Sequence, residues 1–137
     1  MIFETKTLTV SIDAPFNAVA DDLANPITHP EWATEFFTGD AVPNDKGGVN
    51  ANVPMMGGPV KFEIKADAKQ GILDLFLAPE TGKFGDPLPV RLIRNGDGVD
   101  VLWTLTRYPG MPDIAWQLGL DSMNKELVSL KKRHEEN

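Results

Sequence analysis

The side chains able to do chemistry here are few. The sequence has two histidines, His29 and His134, three serines, Ser11, Ser122 and Ser129, and no cysteine. Without cysteine there is no disulfide, thiolate zinc site, iron–sulfur cluster or thiol nucleophile. His29-Pro30-Glu31 has no metal-ligand spacing, and His134 stands in the charged run Lys131 to Glu136, which reads as a solvated helix tail. No metal is expected. No serine sits in a Gly-x-Ser-x-Gly turn, so a hydrolase triad is not expected either. Lys46-Gly47-Gly48 lacks the Ser or Thr of a phosphate loop, and Asn95-Gly96-Asp97-Gly98 reads as a hairpin turn. No cofactor is expected.

Polar residues on apolar strands are the remaining candidates. In Ile72-Leu73-Asp74-Leu75-Phe76-Leu77, Asp74 shares a face with Ile72 and Phe76. If that face is inside, Asp74 is a carboxylate in an apolar wall with a raised pKa and an acid–base use. If Leu73, Leu75 and Leu77 point inward, Asp74 is solvated, which is the simpler reading. Arg107 shares parity with Val99, Val101, Trp103 and Leu105, the more apolar face of its strand. It is the better inward anchor, for a carboxylate or carbonyl; as a strand-end arginine it reaches solvent instead. Tyr108 is either a donor near a mouth or a packing residue. Asp74, Arg107 and Tyr108 are thus the weak catalytic candidates.

These residues must be positioned by elements that the pattern predicts. Leu8, Val10 and Ile12 alternate with threonine and serine, giving a strand over 3–12. Pro15 opens a helix over 15–24, carried by Phe16, Val19, Ala20 and Leu23 and stopped at Asn25-Pro26. A second short helix is expected over 28–36, with Pro30 in its first turn and Trp32 and Phe36 on one face. Then come six strands: 37–43, 49–55, 60–66, 72–78, 88–94 and 99–108, the last two joined by the Asn95–Gly98 turn. Finally Trp116, Leu120, Met123, Leu127 and Leu130 recur at spacings of 4, 3, 4 and 3, one stripe on a helix of about 20 residues that Asp113 is expected to cap.

Composition narrows the function. At 137 residues this is one domain, large enough to bury about two-thirds of its unfolded surface. Thirteen Lys and Arg against 20 Asp and Glu leave a net charge of -7, which disfavours nucleic acid and anionic membrane surfaces. No apolar run reaches 18 residues, so no integral membrane segment is expected. The opening MIFETKTLTV lacks a basic region followed by an apolar run, so a cytoplasmic protein is expected.

The order of strand, two short helices, six strands and long helix resembles the helix-grip fold of the START/SRPBCC superfamily, which includes polyketide cyclase/dehydrase-like bacterial proteins. "TLTVSIDAPFNAVADDLAN" is similar to its opening strand, Ala-Pro turn and first helix. "HPEW" resembles its second helix, and "LDSMNKELVSLKKRHEE" its closing helix. The resemblance implies an α+β domain over 1–137. A curved seven-stranded antiparallel sheet wraps a long C-terminal helix, with an apolar cavity between them. It implies a hydrophobic small-molecule ligand, a lipid or polyketide, and no shared catalytic set. Phe62, Trp103, Trp116 and Met123 are then expected in the lining, with Arg107 as polar anchor. Met55 and Met56, flexible thioethers beside Gly57-Gly58, are expected at an opening. Two alternatives stay open: a cyclase or dehydratase-type enzyme acting in the same cavity, and a protein-interaction module. Monomer and homodimer are equally compatible with the sequence.

Overall fold

The computed structural model describes residues 1–136. Its elements are β1 (Thr5–Ile12), α1 (Phe16–Ala24), α2 (His29–Trp32), β2 (Val42–Pro43), β3 (Val49–Val53), β4 (Gly58–Asp67), β5 (Ile72–Pro79), β6 (Leu88–Asn95), β7 (Gly98–Thr106) and α3 (Asp113–Glu135). The strands form one seven-stranded sheet in the order β1-β7-β6-β5-β4-β3-β2. Every neighbouring pair is antiparallel. Strands β2 to β7 run as a meander of hairpins, and β1 closes onto β7 with Leu8 opposite Trp103. Among the described residues no helix is long and apolar enough to cross a membrane.

Alternation decides which face is inside. Along β4, Val60 and Phe62 are fully buried while Lys61 and Glu63 are half-buried on the other face. Along β5, Leu73 and Leu75 are buried and Ile72 is exposed. Along β7, Val99, Val101 and Trp103 are buried. The concave side of the sheet thus carries the apolar set, and α3 covers it with the stripe Trp116, Leu120, Met123, Leu127 and Leu130, all buried. The β6–β7 hairpin turns through Gly96, whose φ of +57° suits glycine, with Asn95 opposite Gly98.

Four expectations are corrected. The segment 37–43 is not a strand beyond Val42–Pro43. Phe37 is buried with its ring centroid 5.6 Å from that of Phe62, and Gly39 turns the chain at φ +72°, so the run folds inward instead of extending. The strand expected over 49–55 ends at Val53; Pro54–Met56 forms a single 3-10 turn closed by Gly57 at φ +91°. Asp113 does not cap α3: the cap position is Pro112, and the Asp113 carboxylate accepts from Arg107 Nη2 at 2.7 Å. The second helix is also shorter than expected, because Ala33, at ψ 56°, leaves the helical region.

The register sorts the loops into two ends. The start of β1, the end of β7, the β3–β4 turn, the β5–β6 loop and the N-terminus of α3 share one end. The end of β1 and the C-terminus of α3 share the other. There Lys131 Nζ donates to the Ser11 carbonyl at 2.7 Å and Glu135 accepts the Asp13 N–H at 2.8 Å.

Candidate functional site

The tied end is polar and closed by ion pairs. Arg133 donates to both carboxylate oxygens of Asp22, at 2.8 and 3.2 Å, and His134 Nε2 lies 2.7 Å from Asp22 Oδ2. His134 is therefore not the solvated tail residue expected; it fastens α3 to α1. Burial raises the Asp22 carboxyl, but the hydrogen bonds from His134 and Arg133 outweigh it and hold the group well below the usual carboxylate range. A surface cleft of about 630 Å³ there is lined by Asp22, Lys132, Arg133, His134 and Glu136.

The opposite end exposes several apolar side chains. Met55 is 76% exposed on the β3–β4 turn, and Tyr108 is 72% exposed just beyond β7. Ile114 and Leu118, one turn apart on the first half of α3, are exposed as well. Met56 is half-buried and packs against the core. Beneath α3, Arg107 bonds the Met111 carbonyl through Nε and Nη2 (3.1 and 2.6 Å), Glu4 through Nη1 (3.1 Å) and Asp113 through Nη2 (2.7 Å). One guanidinium thus staples the segment before β1, the loop after β7 and the start of α3.

Between the two ends lies an aromatic cluster. His29 and Trp32 come from α2, Phe62 from β4 and Trp103 from β7. The His29 ring centroid is 5.3 Å from Trp32, 5.1 Å from Phe62 and 6.4 Å from Trp103. Strands β4 and β7 are separated by β5 and β6, about 14 Å in a flat sheet. A single imidazole meets side chains from both because the sheet is curved. His29 Nε2 sits 2.8 Å from the Leu23 carbonyl; a carbonyl only accepts, so Nε2 carries the proton and donates. Burial pushes the imidazole down to about 4, so it is neutral at pH 7. Trp32 and Trp103 are 2% and 5% exposed, and both indole N–H groups are buried without a partner among the described residues. Each such donor costs about 1–3 kcal/mol when left unmade.

A second buried polar group lies on α3. Glu126, 5% exposed, accepts the backbone N–H groups of Glu35 and Phe36, both at 3.0 Å. Burial pushes its carboxyl up to about 7, more than those two N–H bonds pull it down.

The expected lining residues Phe62, Trp103, Trp116 and Met123 all lie in one core between sheet and α3. The weak catalytic candidates are not brought together. Asp74 faces away from that core, opposite in parity to Leu73 and Leu75, and pairs with Arg91 at 3.1 Å. Arg107 is engaged as a staple and Tyr108 is largely solvated. In the sequence His29 reads only as a helix-start residue without metal-ligand spacing, and Glu126 is not singled out. The signal for Glu126 was its place three residues after Met123 and four before Leu130, inside the apolar stripe.

No protein-family model matches the sequence, and no curated protein aligns with it significantly. Solved structures do resemble it. An uncharacterised protein from Bacillus thuringiensis superposes with a TM-score of 0.72 at 12% identity, over 96% of this chain and 98% of that one. The Aha1 dimer from Colwellia psychrerythraea gives 0.66 at 16% identity, with 96% of each chain covered. A START superfamily protein from Mycobacterium smegmatis gives 0.66 at 13% identity, over 96% of this chain and 97% of that one. Element order, sheet order and these superpositions agree: the chain has the helix-grip fold of the START/SRPBCC type.

Proposed function

We propose that the protein binds an apolar small molecule, of lipid or polyketide character, between the concave sheet and α3. The observation that carries this reading is the group of apolar side chains at the Arg107 end: beside its ion pairs, that end presents Met55, Tyr108, Ile114 and Leu118, all 60–76% exposed, to solvent. Apolar side chains left in water around a core lined by Phe62, Trp103, Trp116 and Met123 suit an entrance to a pocket. Binding of this kind needs room, and the unbranched side chains of Met56 and Met123 can repack to make it. Native mass spectrometry of protein purified from its own host, with solvent extraction of any adduct, tests the reading. A bound apolar molecule supports it. Protein that carries none and also fails to take up Nile red or a fatty acid argues against it.

One observation favours a second reading. Ile114 and Leu118 form an exposed apolar pair on α3, and a structural neighbour was solved as a dimer. A second copy covering that face would make the protein an interaction module. Light scattering across a concentration series, comparing wild type with Leu118→Glu, separates the two.

A further inference from the structure

Trp32 arrives from α2 and Trp103 from β7, and each brings a hydrogen-bond donor into the apolar core. Neither indole N–H has a partner among the described residues. The rings meet edge to face, centroids 5.6 Å apart at 85°. In such a pair only the ring presenting its edge can aim an N–H at the other's π face; the second N–H lies in the plane of the ring presenting its face. At least one donor is therefore left over by the pair itself. His29 stands beside both rings, neutral, with its own N–H given to the Leu23 carbonyl. It brings no positive charge. The guanidinium of Arg107, at the end of β7, is taken up by Met111, Glu4 and Asp113. A carboxylate would thus meet donors but no free counter-charge, and its desolvation would go uncompensated. A neutral carbonyl oxygen has two lone pairs and meets both N–H groups at little desolvation cost.

From this geometry we infer that Trp32 and Trp103 are the polar anchor of the pocket, and that its ligand is a neutral ketone-type molecule whose carbonyl oxygen accepts the indole N–H groups. The inference rests on the pocket reading above. The Trp32 and Trp103 rings pack with Phe62 and His29 at centroid distances of 5.1–6.4 Å, so a carbonyl oxygen enters only where the Trp32–Trp103 contact opens. Opening the Trp32–Trp103 contact to admit an oxygen exchanges one ring contact for hydrogen bonds that the closed form lacks.

The test uses two probes of matched shape, 2-acetylnaphthalene and 2-ethylnaphthalene, only the first of which has a carbonyl. Each is titrated into the full chain, with affinity read by fluorescence and the indole N–H resonances followed by nitrogen-15 NMR. The ketone is expected to bind about tenfold tighter, the worth of one good hydrogen bond. It should move the Trp32 or Trp103 indole proton downfield while that of Trp116 stays. Trp32→Phe with Trp103→Phe should abolish the preference and keep hydrocarbon binding. Equal affinities, or bound ketone with unmoved Trp32 and Trp103 protons, would overturn the anchor and leave the pocket standing. Failure of both probes to bind would overturn the pocket and the anchor with it. The wild-type titration decides alone if a phenylalanine variant does not fold.

Discussion

Glu126 of α3 accepts the backbone N–H of Phe36 at 3.0 Å from within the core, through the same carboxylate oxygen that takes the N–H of Glu35. A buried acid thus fastens the segment that follows α2. His29, at the start of α2, is a buried base. The two carry opposite pH dependences. Glu126 has its native value raised from 4.5 to about 7, so the folded chain holds the extra proton across that window and loses stability as pH rises through it. His29 has its native value lowered from 6.5 to about 4, so the unfolded chain holds the extra proton and stability is lost as pH falls through that window.

The slopes oppose each other over nearly the same range, so wild-type stability should vary little between pH 4.5 and pH 6.5, the shared part of the two windows. Glu126→Gln keeps a carbonyl acceptor for the two N–H groups and removes the titration. It should expose the His29 slope, a fall of about 3 kcal/mol on acidification. Urea unfolding at a series of pH values measures this; parallel curves for the two proteins would refute the assignment.

Helix α3 should be needed for folding itself. Leu127 is 2% exposed, and Leu127→Ala should cost about 2–5 kcal/mol. A chain ending at residue 112 lacks the whole stripe and should show no cooperative thermal transition by calorimetry.

Met123→Lys places an unpaired charge in the core. Apolar ligand binding should weaken and stability fall together, so affinity and melting temperature must be followed on the same samples. A folded variant that binds every apolar probe as tightly as wild type would move the pocket elsewhere.

Arg107→Ala removes the donors to Met111, Glu4 and Asp113 at once. Amide exchange should quicken in residues 107–113 and in the segment before β1, while the Asp22–Arg133 end keeps its protection. Mass-spectrometric hydrogen exchange distinguishes this from a global loss, which would speed both ends alike.

Local period was enough for much of the fold. The alternation Val60-Lys61-Phe62-Glu63 and the 4-3-4-3 stripe from Trp116 to Leu130 are properties of a few neighbouring residues, and they place the same faces in the structure. The inward positions of Phe62, Trp103, Trp116 and Met123 follow from them. What escaped depends on distant partners. His134 reads as a tail residue until Asp22, 112 positions away, is brought beside it. His29 reads as a helix opener until the sheet curls enough to bury it between β4 and β7. Phe37 belongs to an apolar run that looks like a strand, but its ring finds Phe62 in the core first.

The pairing of β1 with β7 sets an order of events on the ribosome. Thr5 lies opposite Thr106, whereas each strand from β3 to β7 has its partner one hairpin earlier. The meander can zip as it is made, but β1 has no edge to join until about a hundred more residues have been synthesised. At about 5–20 residues per second, that leaves an amphipathic strand waiting on the order of 5–20 seconds. Its outward threonines, Thr7 and Thr9, limit the apolar surface it shows in that interval. Closing so long a loop is a late, slow step, and refolding in vitro should be limited by the same joint.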